Sequence, residues 1–472
     1  MFLRQIYDEE LAQAAYIIGC QQTGEALVID PERDIDRYHE VARENDLEII
    51  AVAETHIHAD FVSGAREFSQ DPGVTLYLSG LGGDDWSYRW PDEKTNVQYL
   101  KDGDAFMIGK VEIEAIHSPG HTPEHLSFKI TDLGGGATEP VAVATGDFLF
   151  VGDVGRPDLL ESAAGVVGAR EPSARTLRQS LADRVAPIPE FVQVLPGHGA
   201  GSACGKALGA IPSSTIGYER RFNGALKLAE SDAEGFVREI LAGQPEPPLY
   251  FKRMKHVNRD GIEVTGGPVV PDHVDVQRFQ ELASSGAVIL DGREDRHAFI
   301  AEHVPGSVCA PLDGSSFSNS AGSFLNADDK ILLILENESR LDEATRKLYR
   351  IGFDGAVGWV SFAELKDAGL ATAILDTVEF DRFSQAALKE DDVILDVRGL
   401  SEYDEGHIRD AVQTAYTRIA ENLDSLDRTK RYFLYCASGR RATLAASFLA
   451  SHGFSVVLVD GSGDDQFVRD VA

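Results

Sequence analysis

Six histidine and aspartate side chains stand, in order, just behind stretches that read as β-strands, and nothing else in the chain restricts its fold as strongly. "LEIIAVAET" runs into "HIHADFVSG", "VEIEAIHSPG" into "HTPEH", "VAVATG" into "DFLF" and "FVQVLPG" into "HG". The residues are His56, His58, Asp60, His121, Asp147 and His198, on loops whose glycines and other small residues allow sharp turns. Imidazole and carboxylate are the donors of borderline first-row metals, and a set that leaves coordination positions open makes a site catalytic. A single histidine behind a strand is ordinarily a packed structural residue. This many donors at successive strand ends predict a metal centre.

The alternation of short β-like runs with helical stretches continues to about residue 245, where "GQPEPPLYF" (243–251) interrupts it and reads as an inter-domain linker. Beyond the linker the chain repeats itself. "VILDGREDRHAFIAEHVPGSV" (288–308) and "VILDVRGLSEYDEGHIRDAV" (393–412) share a strand run, Asp-x-Arg, an aromatic and a Glu-His element. "ILLILENESRLDEATRKLYRIGF" and "RYFLYCASGRRATLAASFLASHGF" each read as strand, loop, amphipathic helix and Gly-Phe. A period of about 100 residues is a duplicated small domain, because solenoid repeats run to about 20–50. The expected organisation is α/β throughout, with a larger domain at 1–245 and smaller ones at 252–372 and 373–472.

The ordered set His56-x-His58-x-Asp60, His121, Asp147, His198 resembles the metallo-β-lactamase fold over the first 240 or so residues, which implies an αββα sandwich. Dinuclear members such as glyoxalase II carry a histidine after the motif aspartate, where this chain has Phe61, which lacks a donor atom. A mononuclear centre follows, and two histidines with one carboxylate suit non-haem Fe(II) and oxygen chemistry. The pattern is similar to the persulfide dioxygenases related to the ethylmalonic encephalopathy protein. That resemblance implies one Fe(II) per chain held by His56, His121 and Asp147, with His58, Asp60 and His198 orienting ligands and waters. "GDVGRPDLL" also matches that family, and Arg156 is expected either to anchor a substrate carboxylate or to hold its loop.

Cys436 opens "CASGRR" between an apolar strand and the helix "ATLAASFL", so backbone N–H groups and a helix N-terminus converge on whatever the thiol carries. Such a nest favours a thiolate or persulfide. With "ILDVRGLSEYDEGHI" upstream, residues 380–472 resemble a rhodanese domain. This implies Cys436 as persulfide carrier, Arg440, Arg441, Ser438 and Gly439 around the sulfur and its anionic partner, and Asp396 as a structural residue. Aligned from the shared Gly-Phe, the first copy has Leu335 at the cysteine position and keeps only Arg340, so it is expected to be a degenerate rhodanese used for spacing or assembly. Cys204, in a glycine-rich stretch behind His198, is expected either to reach the metal cavity or to be simply buried. Cys309 reads as a core residue. The whole order resembles CstB-like proteins, which join a persulfide dioxygenase, a pseudo-rhodanese and an active rhodanese.

Four scattered cysteines argue against both a disulfide framework and a thiolate zinc site. The net charge of −33 disfavours nucleic acid and anionic membrane as partners. "MFLRQIYDEELAQAAY" lacks the basic start and apolar core of a signal peptide, so the cytoplasm is expected. The resemblance implies small-molecule partners, namely a thiol persulfide, O2 and sulfite, and a homo-oligomer is expected. The rival readings are a thioester hydrolase of the glyoxalase II type and a sulfur relay whose metal domain does no oxidation.

Overall fold

In the computed structural model, which describes residues 1–461 except 164, 207, 315 and 384–387, the chain forms two units of internal contact. The first joins Met1–Gln244 with Phe251–Gly267, and the second joins Pro245–Tyr250 with the chain from Pro268 onward. This division differs from the one expected at the linker. The helix Phe251–Asp260 buries Phe251, Met254, Lys255, Asn258 and Arg259, which packs it onto the first unit. The linker's own residues go to the second, where the Tyr250 N–H donates to the Gly322 carbonyl at 2.9 Å and the Leu400 N–H to Glu246 Oε1 at 2.8 Å.

In the first unit one sheet runs in sequence order through β1 (Phe2–Asp8), β2 (Gln13–Cys20), β3 (Glu25–Ile29), β4 (Glu48–Ala53), β5 (Thr75–Ser79) and β6 (Val97–Leu100). It is antiparallel to β3 and parallel from β3 onward. The other holds β7 (Ala105–Ile108), β8 (Val111–His117), β9 (Leu126–Asp132), β10 (Ala142–Gly146), β11 (Gln193–Pro196) and β12 (Ser214–Thr215), again in order, with β10 and β11 parallel. Alternate residues face inward, so Tyr16, Ile18, Leu27 and Ala51 of the first sheet meet Ile113, Phe128, Ala142 and Leu195 of the second in one buried core. The opposite faces carry helices: Ile17, Val28 and Val52 pack on Tyr38 and Phe68, and Val143 and Val194 on Leu177, Phe236 and Ile240. Helices therefore cover both outer faces of a two-sheet sandwich, the αββα architecture.

The second unit repeats one design. β13 (Val288–Asp291), β14 (Val308–Cys309), β15 (Ile331–Leu335) and β16 (Ala356–Ser361) form a parallel sheet ordered β14-β13-β15-β16. The next sheet comprises β17 (Thr377–Glu379), β18 (Asp392–Asp396), β19 (Val412–Gln413), β20 (Arg431–Tyr435) and β21 (Ser455–Asp460), ordered β17-β21-β20-β18-β19 and parallel. Without β17 the two orders coincide. Asp-x-Arg makes the same clasp in each: Arg293 grips Asp291 and the Glu302 carbonyl, and Arg398 grips Asp396 and the Gly406 carbonyl. Register fixes the equivalence of the loops. Asp291 pairs with Ile334 and Asp396 with Tyr435, so Leu335 takes the place of Cys436.

Among the described residues no helix is long and apolar enough to cross a membrane. All four cysteines are buried and free.

Candidate functional site

The loops behind β4 and β10 and between β8 and β9 bring His56, His121 and Asp147 together. Their donor atoms lie within 4.8 Å of one another, and all three residues are buried. Asp147 Oδ2 is 4.0 Å from His56 Nε2 and 3.6 Å from His121 Nε2. Gly146 makes the turn into Asp147 with φ of 49°, and a side chain there would press within 2.5 Å of Thr55 Oγ1 and 2.7 Å of His125 Nε2.

Hydrogen bonds behind the rings fix which nitrogen faces inward. Thr55 Oγ1 donates its proton to Asp30 Oδ2 at 2.7 Å, so it accepts from His56 Nδ1–H at 2.9 Å and leaves Nε2 with a lone pair. His121 Nδ1 is 3.0 Å from the Arg156 carbonyl, which can only accept, and the same tautomer results. Burial and the surrounding imidazoles push His56 well below its ordinary pKa, and burial lowers His121 against the pull of Asp147. Burial would raise the Asp147 carboxyl, but His198 and His121 outweigh it and hold it below the usual range. The residues therefore present two neutral imidazoles and one carboxylate to a single point. His56 Nε2 and Asp147 Oδ2 are buried there without a hydrogen-bond partner, a cost that coordination of one first-row ion removes. Thr55→Val, which keeps the shape and deletes the relay, is expected to weaken metal affinity about 10–100-fold, measured by chelator competition.

Two further His/Cys/Asp/Glu groups occur among the described residues. His198 is clamped between Asp147 Oδ1 and Asp60 Oδ2, each at 2.7 Å, so both ring nitrogens donate. Burial would lower its pKa, but the two carboxylates push it up to about 10. Cys204 joins Asp60 and His198, and burial followed by the Asp60 and Asp147 charges raises its thiol well above the ordinary value. His58 turns away from Asp147 towards Glu54 Oε2 at 3.0 Å and Asp30 Oδ1 at 3.3 Å. Phe61 is wholly buried against it, with ring centroids 4.3 Å apart.

In the second unit Cys436 is buried directly behind β20, and Gly439, with φ of 78°, caps the helix Arg440–Ser451. A side chain at Gly439 would collide with the Asp460 carboxylate, so this position requires glycine. The first repeat reaches this loop. Arg296 binds Asp460 Oδ1 at 2.8 Å and the Ser438 carbonyl at 3.4 Å, while Asp313 and Ser316 hold Arg440 at 2.6 and 2.9 Å. Arg441 is gripped at both ends by Glu402 at 2.6 and 2.7 Å. The two loop arginines, expected around the sulfur and its anionic partner, are thus each matched by a carboxylate, in keeping with a chain of 77 acids to 44 bases. Removing one unit charge a few ångströms away shifts binding by about 1 kcal/mol in water, or about fivefold. Glu402→Gln is expected to lower the KM for thiosulfate to that extent at low salt, and high salt should erase the gain.

The family model for the metallo-beta-lactamase superfamily matches residues 8–198, and that for the rhodanese-like domain matches residues 374–465. A crystal structure of a metallo-beta-lactamase from Staphylococcus aureus subsp. aureus COL is 39% identical, with a TM-score of 0.69, covering 76% of this chain and 99% of its own. The chain belongs to the metallo-beta-lactamase superfamily. It carries a rhodanese-like domain besides. Persulfide dioxygenase ETHE1 of Bos taurus is 26% identical over 242 residues, 50% of this chain and 80% of that protein. The probable polyketide biosynthesis zinc-dependent hydrolase BaeB of Bacillus velezensis is 27% identical over 213 residues, 45% of this chain and 84% of its own.

Within this metallo-beta-lactamase unit, Arg156 is committed to its loop. Its guanidinium binds both Asp158 oxygens, at 2.9 and 2.7 Å, and the Ala203 carbonyl at 2.7 Å, and it is buried. These bonds tie it to its own loop, and its carbonyl faces His121 Nδ1. Sequence reasoning passed over His125, whose Nε2 accepts the Asp147 N–H at 3.1 Å and whose Nδ1 meets Ser118 Oγ at 2.9 Å. Its spacing from His121 in "GHTPEH" was the available signal. It also passed over Glu124, which receives the Ile57 N–H at 2.7 Å, and Asp30, which ends the "EALVID" run.

Proposed function

We propose that the first unit oxidises the terminal sulfur of a low-molecular-weight thiol persulfide to sulfite and that the second transfers sulfane sulfur through Cys436, giving thiosulfate. What carries the proposal is the neutral His56–His121–Asp147 set with two orphaned buried donors, in one chain with a rhodanese-like cysteine loop. One Fe(II) held by these three residues supplies redox chemistry with O2 when bound.

The chain's own residues shape the rest. Asp30–Thr55 and the Arg156 carbonyl keep both imidazoles in the ligating tautomer, and His198 occupies Asp147 Oδ1 so that Oδ2 faces inward. Phe61 supplies bulk without a donor beside His58, which favours one ion over two. The first reaction consumes persulfide, O2 and water and yields thiol, sulfite and two protons. Next, the Cys436 thiolate attacks the terminal sulfur of a second persulfide and releases a thiol. Sulfite then takes that sulfur, thiosulfate leaves and the Cys436 thiolate returns. Fusing the two activities raises the effective concentration of sulfite at the second site. The first repeat, without a thiol at Leu335, holds the Cys436 loop through Arg296, Asp313 and Ser316.

Metal analysis of anaerobically purified protein, followed by oxygen uptake with persulfides of several thiols, tests the reading. Iron near one per chain and persulfide-dependent uptake are expected. A zinc pair with thioester cleavage and no oxygen uptake would overturn it.

A further inference from the structure

The loop Glu54–Gly64 carries His56, His58 and Asp60, and a metal loop must be held to a fraction of an ångström to be useful. Its ends are tied where Ser63 Oγ donates to Glu54 Oε1 at 2.6 Å, and its first bend where the Ile57 N–H reaches Glu124. The bend around Asp60 is held by another part of the chain. Asn258, buried in the helix Phe251–Asp260, donates through Nδ2 to the carbonyls of His58 and Phe61, both at 2.8 Å. Its Oδ1 accepts the Ser63 N–H at 2.9 Å. One carboxamide thus satisfies three buried backbone groups flanking Asp60. No other side chain of this length offers two donors and an acceptor: aspartate lacks the donors, and glutamine is longer by a methylene.

The helix that delivers Asn258 is itself fixed. Trp90 Nε1 donates to the Asn258 carbonyl at 3.2 Å, the Arg89 N–H to the Arg259 carbonyl at 2.7 Å, and Lys255 and Arg259 bind Asp85 at 2.6 and 2.7 Å. It lies beyond residue 198, where the superfamily match ends, and behind the proline-rich stretch whose residues belong to the second unit.

We propose that Asn258 is a positioning residue of the metal centre, setting the bend that aims the His56–Asp60 loop. The proposal rests on the metal reading above, but not on the identity of the substrate. The test therefore reads the metal directly. Co(II) is titrated into the metal-free full-length chain, with affinity taken from chelator competition and ligand geometry from the visible absorption bands. Cys436-dependent transfer from thiosulfate serves as the check that the rest of the chain is intact.

Asn258→Ala and the isosteric Asn258→Asp are expected to weaken Co(II) binding about 10–100-fold, the usual worth of an outer partner of a metal site, and to shift the bands. Met254→Ala, which empties a buried position on the same helix, is expected to lower the melting temperature while leaving affinity and bands unchanged. Should alanine at 258 prevent folding, the aspartate variant decides. Wild-type affinity and bands in an Asn258 variant, or an equal loss in Met254→Ala, would overturn the proposal. A wild-type chain that binds no Co(II) would overturn both it and the metal reading, whereas Co(II) binding by a chain whose iron form oxidises no persulfide would overturn only the proposed substrate.

Discussion

His121→Ala is expected to reduce bound iron from about one per chain to a trace and to abolish oxygen uptake on persulfide. The ring supplies one of three donors, and the other two are a single imidazole and a single carboxylate oxygen. Loss of a direct ligand should exceed the about 10–100-fold that outer partners contribute. Alanine would also leave the Arg156 carbonyl without the Nδ1–H it now accepts, so some loss of stability in the first unit accompanies the loss of metal. Sulfur transfer from thiosulfate by Cys436 reads the second unit by itself and should persist. Elemental analysis, an oxygen electrode and a transferase assay on the same preparation check all three statements. Continued oxygen uptake by the variant would mean that the ligands lie elsewhere.

The parts of this site that sequence made legible are those with a spacing or a repeat. His56, His121, Asp147 and His198 follow β4, β8, β10 and β11 because a ligand must sit where a strand ends and a loop turns, and this leaves a pattern of apolar run, small residue and donor. Leu335 stood out because the second copy supplied its own template, and the sheet register gives the same equivalence. The residues that hold the ligands left no such trace. Thr55 and Asp30 act through one hydroxyl and one carboxylate 25 positions apart, and Asn258 reaches the loop from 197 positions beyond Phe61. A single polar residue with a distant partner looks like any surface residue until the chain is folded. Composition misled at one point. Prolines 245, 247 and 248 mark where the chain leaves the first unit, but it returns from Phe251 to Gly267 before leaving for good, and the helix of this return is amphipathic like any other. Arg156 shows the same limit, since a buried pair with Asp158 and an exposed anion site are written with the same residue types.

Cys436→Ser is expected to leave iron content and oxygen uptake intact while sulfur transfer falls by at least about three orders of magnitude. A hydroxyl in this position cannot carry a sulfane sulfur, and the substitution is nearly isosteric in a buried site, so the fold should tolerate it. No other thiol is placed to replace it. The equivalent position in the first repeat is Leu335, Cys309 is buried with its N–H on Ser447 Oγ and its thiol pushed well above the ordinary range by burial, and Cys20 and Cys204 belong to the first unit. The decisive readout is the product. Wild type supplied with persulfide and O2 should accumulate thiosulfate, and the variant should accumulate sulfite with the same oxygen consumption. A pure sulfur relay predicts something different, namely transfer that depends on Cys436 and no oxygen consumption in either protein. Thiosulfate formation by the serine variant at the wild-type rate would remove Cys436 from the pathway and with it the coupling between the two units.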